Sequence, residues 1–203
     1  MKYLAIDTSG DLIVIAVNGE KIHTEYLKGC NTKHSVTLMP YVEKSLISCE
    51  MQLSDVDFFA VVTGPGSFTG IRIGVATVKA LAFALNKPVL SLTSFDVIAY
   101  SDNAPDNCVC LIDANHGNYY SATYKNKQLQ GNAQFLPKQE ILQSLNECKI
   151  AVNQPIDWHS YFLADVLSGV KNACEQNANN LTSGENVNPL YVKKSQAEEE
   201  FCG

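Results

Sequence analysis

One short group near the start of this 203-residue chain has the residue types and spacing to do chemistry. Asp7, Thr8 and Ser9 follow the apolar run at 3–6, which is typical of a buried strand. An aspartate that ends a strand and is followed by small residues can present backbone amides to phosphate oxygens. Glycine gives phosphate the closest approach to such a turn, whereas Ser9 adds a side chain there. The group predicts weak binding of ATP or ADP at Asp7, Thr8 and Ser9, or simply an aspartate that caps its own turn.

The remaining reactive residue types do not assemble into a catalytic or metal-binding pattern. None of the four histidines pairs with another at the i, i+4 spacing of a helical zinc site. The seven cysteines are odd in number, scattered and without a C-x-x-C pair, a pattern that favours reduced thiols over disulfides or zinc. We therefore predict no catalytic residues, no metal and no resident cofactor.

The most distinctive motif is the glycine-rich block T-G-P-G-S-F-T-G-I-R-I-G at 63–74. It lacks the Lys-Ser/Thr ending of a P-loop, and Ser67 is placed to cap a following helix. Gly66, Gly70 and Gly74 recur every fourth residue and so share one face of that helix. Since each glycine inside a helix costs roughly 0.8–1 kcal/mol against alanine, a neighbour must approach that face closely. The neighbour is either the chain's own sheet or a partner helix.

Alternating strands and helices must position these motifs. The hairpin signal Asn18-Gly19 predicts an antiparallel meander near the N-terminus, and the strand–turn–helix–strand order that follows predicts parallel pairing. The polar stretch at 101–107 predicts a boundary between an N-terminal lobe, 1–103, and a smaller C-terminal lobe, 104–203, with a tail near 189–203 packing back on the first lobe. Helices are predicted at 34–50, 71–85, 94–100, 138–145 and 158–178, and later strands at 108–113, 119–125, 130–136 and 148–152.

The composition of the chain argues against some classes of protein. The formal net charge of −6 and the absence of a basic run argue against a protein that grips nucleic acid with its own surface. The N-terminus resembles no signal peptide, and no apolar run in the sequence approaches the length expected of a membrane span. Together with the cysteine pattern, these features predict a cytoplasmic protein without membrane contact.

The motifs resemble those of the TsaB (YeaZ) family, a component of the bacterial machinery that makes threonylcarbamoyladenosine in tRNA. The resemblance covers the first hundred residues well and thins in the second half. The turn at 115–118 departs from the arginine-rich turn ending in glutamate that family members usually carry, so no charged role is carried over to it. The matching motifs are I-D-T-S at 6–9, K-H-S at 33–35, L-M-P at 38–40, G-P-G-S-F-T-G-I-R-I-G at 64–74, L-I-D-A at 111–114 and P-L-Y-V-K at 189–193.

The resemblance implies an α/β protein with an actin-like or Hsp70-like fold of two lobes, each a mixed sheet with helices, the second lobe reduced. It implies a non-catalytic scaffold and activator that dimerises with the catalytic subunit TsaD, with the ATPase TsaE joining them. TsaD transfers the threonylcarbamoyl group to the adenosine beside the anticodon, so tRNA is contacted only through the complex. Alone, the protein is expected to form a homodimer through the same face, and a nucleotide can sit at the partner interface.

The resemblance places the partner interface on the helix at 34–50 and on the helix that follows the glycine-rich block. Two functions of other classes remain open: an actin-like ATPase or kinase, or an M22-type peptidase-like enzyme, and a homodimeric nucleotide-binding module. Ser9 in the phosphate turn and the missing H-x-x-x-H pair count against the enzymes. The expected interface residues are His34, Met39, Val42, Leu46, Gly66, Ser67, Phe68, Thr69, Gly70, Arg72, Ile73, Gly74 and Thr77.

Overall fold

The computed structural model describes residues 1–19, 22–28, 34–145, 148–158 and 160–192. Ten strands and five α-helices lie within these ranges, with single 3₁₀ turns at Leu53–Asp55 and Gly184–Asn186. In chain order the elements are β1 Tyr3–Asp7, β2 Leu12–Asn18, β3 Ile22–Lys28, α1 His34–Ser48, β4 Phe58–Val62, α2 Phe68–Leu85, β5 Val89–Leu92, α3 Ser94–Tyr100, β6 Cys108–Asp113, β7 Asn118–Lys125, β8 Gln128–Pro137, α4 Lys138–Ser144, β9 Lys149–Val152, β10 Phe162–Leu163 and α5 Val166–Asn177.

The first sheet has the order β3-β2-β1-β4-β5, with β1 antiparallel to β2 and parallel to β4. Every residue of β1 and β4 is buried, as expected of strands covered on both faces. Because side chains alternate along a strand, Leu4 and Ile6 face α1 and α2, whereas Tyr3 and Ala5 face α5. The predicted meander followed by a βαβ unit is confirmed.

The second sheet repeats this plan, also with five strands, in the order β10-β9-β6-β7-β8. Its central strand β6 is antiparallel to β7 and parallel to β9, as β1 is to β2 and β4. Helix α3 lies between the two sheets, with Val97 in the core of the first lobe and Phe95 and Ile98 in the core of the second. A cleft lies between the two lobes, next to the ends of the central strand β1 of the first sheet and of β9 in the second.

Residues from beyond the predicted boundary at 103 complete the first lobe. Helix α5 places Val170 and Ala173 against the first sheet. The segment 181–191, here called the strap, then runs along α2: Thr182 pairs with Val89, and the Leu190 amide donates to the Thr63 carbonyl at 2.8 Å. No single boundary in the sequence therefore separates the two lobes. The end of the predicted tail, residues 193–203, lies outside the described residues.

Two helix starts differ from the sequence expectation. The last helix begins at Val166 and not at 158, because Phe162 and Leu163 pair in parallel with β9 before the Asp165 side chain caps α5. Helix α2 begins at Phe68, directly after Ser67, whose hydroxyl accepts the Gly70 amide as predicted for an N-cap.

Helix α2 also corrects the expectation that no apolar run reaches membrane-spanning length. Within the described ranges it is one helix of 18 residues with a mean hydropathy of 1.5, enough to cross a membrane by length and composition alone. A core helix of a soluble protein has the same properties, and α2 packs against β1, β4 and the strap. The buried third of α2 is therefore explained by packing within the first lobe, whereas much of its remaining apolar surface is exposed.

Candidate functional site

The three glycines face the chain's own β1–β2 turn, Gly70 and Gly74 from α2 and Gly66 from the loop before it, so the predicted helix face holds only two of them. A Cβ atom on Gly70 would collide with the Thr8 carbonyl oxygen, one on Gly74 with Thr8 Oγ1, and one on Gly66 with the Ser9 carbonyl. Thr8 Oγ1 donates to the Gly70 carbonyl at 2.7 Å and so locks the helix onto the turn. The expectation that Gly70 and Gly74 admit a partner helix is wrong, because both are buried against Thr8 of the chain's own β1–β2 turn. Gly66 is exposed, so its place in a partner interface stays a prediction.

The apolar stripe that helix α1 exposes on its outer side is not the one that was expected. Val42 and Leu46 are buried in the first core, so their assignment to the partner interface is also wrong. Met39 is 40% exposed and faces outward together with Val36 and Ile47. Both stripes have helical spacing, and the sequence alone did not distinguish the inner one from the outer. The side chain of His34 lies outside the described residues.

Helices α1 and α2 lie on the same face of the first sheet, and their exposed sides form what we call the outer face. Phe83 is 86% exposed, an unusual position for a phenylalanine. Among the remaining expected residues, Ile73 and Thr77 are half-buried at the margin of this face, and Ser67 is exposed at its end. The outer face comprises Val36, Met39 and Ile47 of α1 and Phe68, Thr69, Arg72, Ile73, Ala76, Thr77, Ala80 and Phe83 of α2.

An arginine–aromatic cluster marks the end of the outer face nearest the start of α2. The Arg72 guanidinium stacks 3.7 Å from the centroid of the Phe68 ring, and its Nε donates to the Tyr191 hydroxyl at 2.9 Å. Tyr191 is brought there by the strap, which Lys79 holds through hydrogen bonds to the carbonyls of Glu185 and Val187. Residues 72 and 191 are far apart in the sequence, so no local pattern connected them.

The Asp7 turn opens into the cleft between the lobes, which has a volume of about 580 Å³. Asp7 and Ser9 line this cleft, but Thr8 does not, because its side chain points beneath α2. The expected trio of nucleotide-binding residues is therefore divided. The cleft is lined by Asp7, Ser9, Gly10, Asp11, Leu12, Val14, Ser94 and Val97 of the first lobe and by Asn153, Gln154, Pro155 and 163–167.

Asp7 is held in a tight turn at the floor of the cleft. Its Oδ1 accepts the Ser9 amide at 2.8 Å, and the Ser94 hydroxyl donates to the Ser9 hydroxyl at 3.0 Å. Asp7 is only 7% exposed, and this burial raises the pKa of its carboxyl, while hydrogen bonds from Ser9 offset part of the rise. At the end of β6, Asp113 Oδ1 accepts the Asn115 amide at the same distance of 2.8 Å, so both lobes end their central strand in the same type of turn.

Other reactive groups in the described ranges do not form a recognisable centre. No group of three or more His, Cys, Asp or Glu residues there is placed to hold a metal ion. The Cys108 and Cys110 sulfurs lie 3.7 Å apart but are buried inside the second core and do not line the cleft. The geometry that stands out is thus the outer face and the cleft.

Comparison with known proteins connects this architecture to a family. The family model described as "TsaD: tRNA N6-adenosine threonylcarbamoyltransferase" matches residues 15–199. The relatives include the "tRNA threonylcarbamoyladenosine biosynthesis protein TsaB" of Bacillus subtilis, 36% identical over 146 residues, and that of Haemophilus influenzae, 32% identical over 145 residues. The chain belongs to the TsaB (YeaZ) proteins of this family.

The extent of these matches differs between sequence and structure. The matches cover 70% and 68% of this chain but only 62% and 61% of the Bacillus and Haemophilus proteins, so the chain spans about three fifths of the curated relatives it matches. The structure of YeaZ from Pseudomonas aeruginosa superimposes with a TM-score of 0.77 at 25% identity, over 94% of this chain and 99% of that one. The predicted family and the predicted actin-like, two-lobed α/β fold are confirmed.

Proposed function

We propose that this protein is a non-catalytic scaffold and activator subunit in the synthesis of threonylcarbamoyladenosine in bacterial tRNA. In this proposal its outer face docks on a TsaD-like catalytic subunit, which transfers the threonylcarbamoyl group to the adenosine next to the anticodon. The observation that carries the proposal is the outer face itself, in a chain whose relatives are named for this biosynthesis.

The composition of the outer face supports a docking role. Contiguous exposed apolar surface on a soluble protein commonly marks an interface, and aromatic residues and arginine dominate the energetics of such interfaces. Phe83 lies at one end of α2, and Phe68 with Arg72 lies at the other. Between them Ala76 and Ala80 are exposed and small, which allows the backbone of a partner helix to approach. The same face would pair two copies of the chain when the partner is absent.

The cleft supports a non-catalytic role. Phosphate sites in proteins use cations or free backbone amides, and among the residues that the structure describes no Lys, Arg or His lines this cleft. The Ser9 amide already donates to Asp7, and the Ser67 amide donates to the Ser9 carbonyl at 2.6 Å. We therefore expect ATP or ADP to bind weakly or not at all at Asp7 and Ser9, and a TsaE-like ATPase to supply hydrolysis in a cytoplasmic complex. Contact with tRNA would come through that complex.

Reconstitution of the reaction tests this function. The purified chain would be mixed with the TsaD-like and TsaE-like proteins of the same organism, threonylcarbamoyl adenylate and an unmodified tRNA transcript. We expect modified adenosine only when the chain and the TsaD-like subunit are both present, and no ATP hydrolysis by the chain alone. Equal product with and without the chain, or ATP turnover by the chain that Asp7→Asn abolishes, would contradict the proposal.

A further inference from the structure

The arginine–aromatic cluster at one end of the outer face consists of hydrogen-bond donors that lack an acceptor. Arg72 Nε donates to the Tyr191 hydroxyl oxygen at 2.9 Å, which leaves the hydroxyl proton available to another acceptor. The terminal nitrogens of the guanidinium make no hydrogen bond within the part of the chain that the structure describes, and the ion pairs found there do not include Arg72. The cluster therefore presents N–H and O–H groups side by side on an exposed surface.

The cluster is fixed in place by the chain itself. The Arg72 guanidinium stacks on Phe68, and the ring centroids of Phe68 and Tyr191 lie 5.6 Å apart. Tyr191 directly follows Leu190, whose amide is hydrogen-bonded to the Thr63 carbonyl at 2.8 Å and so ties this end of the strap to the first lobe. Because the guanidinium is already oriented, it loses less conformational entropy on forming new hydrogen bonds than a free side chain would.

The surroundings of the cluster favour a single carboxylate over a nucleic-acid phosphate. Nucleic acids are held by several cations along their backbone. Lys79, the other cation of α2, is engaged with two carbonyls of the strap, and the side chains further along the exposed side of the helix, Ala76 and Phe83, are apolar. A protein surface that covers these apolar side chains and brings one acidic residue to Arg72 is complementary to both parts of the face.

Resting on the docking function proposed above, we propose that Arg72 and Tyr191 together bind one carboxylate, of an Asp or Glu, on the docking surface of the TsaD-like subunit. The two carboxylate oxygens match the fork of donors on a guanidinium, and the Tyr191 hydroxyl donates its free proton to the same group. Docking on a surface without an acidic residue would bury the Arg72 charge unpaired, which is strongly unfavourable. The pair therefore selects the partner as well as orienting it.

Calorimetric titration of the full chain with the TsaD-like subunit of the same organism tests the role of Arg72. Arg72→Met should weaken binding about thirtyfold or more, because the partner's carboxylate is then buried alone. Arg72→Lys should restore part of the affinity, since lysine keeps the charge but lacks the fork. Lys125→Met removes the same charge from an exposed position of β7 and should leave the affinity unchanged. Equal affinities for the wild type and Arg72→Met would overturn the proposal.

A double-mutant cycle identifies the carboxylate. Each exposed Asp or Glu of the TsaD-like subunit would be replaced by Asn or Gln and titrated against the wild-type chain and Arg72→Met. We expect one replacement to weaken wild-type binding about as much as Arg72→Met does, and to weaken the binding of Arg72→Met by at most about twofold more. If Ala76→Glu abolishes docking but no carboxylate couples to Arg72, this inference alone is overturned, whereas a wild-type chain that does not bind the subunit overturns the docking function as well.

Two other occupants of the cluster would give different results. A second copy of the chain offers Glu43, an exposed carboxylate of α1, and tRNA offers phosphates. Coupling between Glu43→Gln and Arg72→Met in self-association, measured by sedimentation, without coupling to any carboxylate of the TsaD-like subunit would assign the cluster to a second copy. Binding of an unmodified tRNA transcript by the chain alone, abolished in Arg72→Met, would assign it to a phosphate. Either result would overturn the proposal.

Discussion

At the scale of single residues, Asp7 has the clearest physical consequence. Burial raises the pKa of its carboxyl above the usual value of about 3.9, so between the unfolded and folded pKa values the folded chain binds more protons than the unfolded one. The contribution of Asp7 to stability therefore falls as the pH rises through that interval. At neutral pH the buried, ionised carboxylate therefore lowers the free energy of unfolding.

Asp7→Asn should remove this destabilisation by the buried charge. The asparagine keeps an oxygen that can accept the Ser9 amide but has no charge to desolvate. We expect the melting temperature at pH 7 to rise by about 2–4 °C, the shift that about 1 kcal/mol produces in a chain of this size. Thermal melts of both proteins from pH 4 to pH 8 would check this, and a lower melting temperature of the variant at pH 7 would contradict it.

The Tyr191 hydroxyl provides a second prediction at this scale. Tyr191→Phe keeps the ring beside Phe68 but removes the oxygen that accepts from Arg72 Nε. Because this hydrogen bond is exposed, the melting temperature should hardly change, whereas affinity for a TsaD-like subunit should fall by about threefold to tenfold as Arg72 loses its fixed orientation. Titration calorimetry measures the affinity. A variant that binds as tightly as the wild type would place the arginine cluster outside the contact.

At the scale of elements, helix α2 has two faces with opposite tolerance to larger side chains. Gly74 rests on Thr8, and Ala76, two residues further along, is exposed. Gly74→Leu should overpack the inner face and lower the melting temperature by several degrees, because overpacking costs about 1–3 kcal/mol. Ala76→Leu, the matched control on the outer face, should leave the melting temperature almost unchanged. Equal melting temperatures for the two variants would contradict the packing of Gly74 on Thr8.

The elements were largely predictable because their signals are local. The cap at Ser67, the hairpin between β2 and β3 and the apolar runs of β1 and β4 depend on neighbouring residues. What could not be predicted depends on distant pairing. The two-residue strand at Phe162 exists only because β9 lies beside it, and Gly70 and Gly74 are buried only because Thr8 lies beneath them.

In the candidate site, too, local signals could be predicted from the sequence and distant pairings could not. Periodicity identified an apolar stripe on α1 but could not say whether Val42 or Met39 faces the core, since both lie at helical spacing. Tyr191 came from the far end of the chain, and no local signal pairs it with Arg72. The family motifs therefore indicated the correct helices, whereas the assignment of side chains to faces required the fold.

At the scale of the whole molecule, the first lobe depends on the last third of the chain. Val170 and Ala173 of α5 fill one side of the first core, and Val187 of the strap is fully buried on the other. We expect a fragment of residues 1–103 to lack a cooperative thermal transition, because these gaps would expose both faces of the sheet. Circular dichroism during heating of the fragment and of the full chain would check this. A cooperative, monomeric melt of the fragment would instead establish 1–103 as an independent domain.

The central claim is that the outer face docks a TsaD-like subunit, and the affinity of one pair of variants tests it most directly. Ala76→Glu places a charge in the middle of the outer face, and Thr123→Glu places the same charge on an exposed position of β7 in the second lobe. Calorimetric titration with the TsaD-like subunit of the same organism should show affinity reduced by about a hundredfold or more for Ala76→Glu and unchanged for Thr123→Glu, because a charge buried without a partner disrupts an interface. Undiminished binding of a folded Ala76→Glu variant would contradict the account.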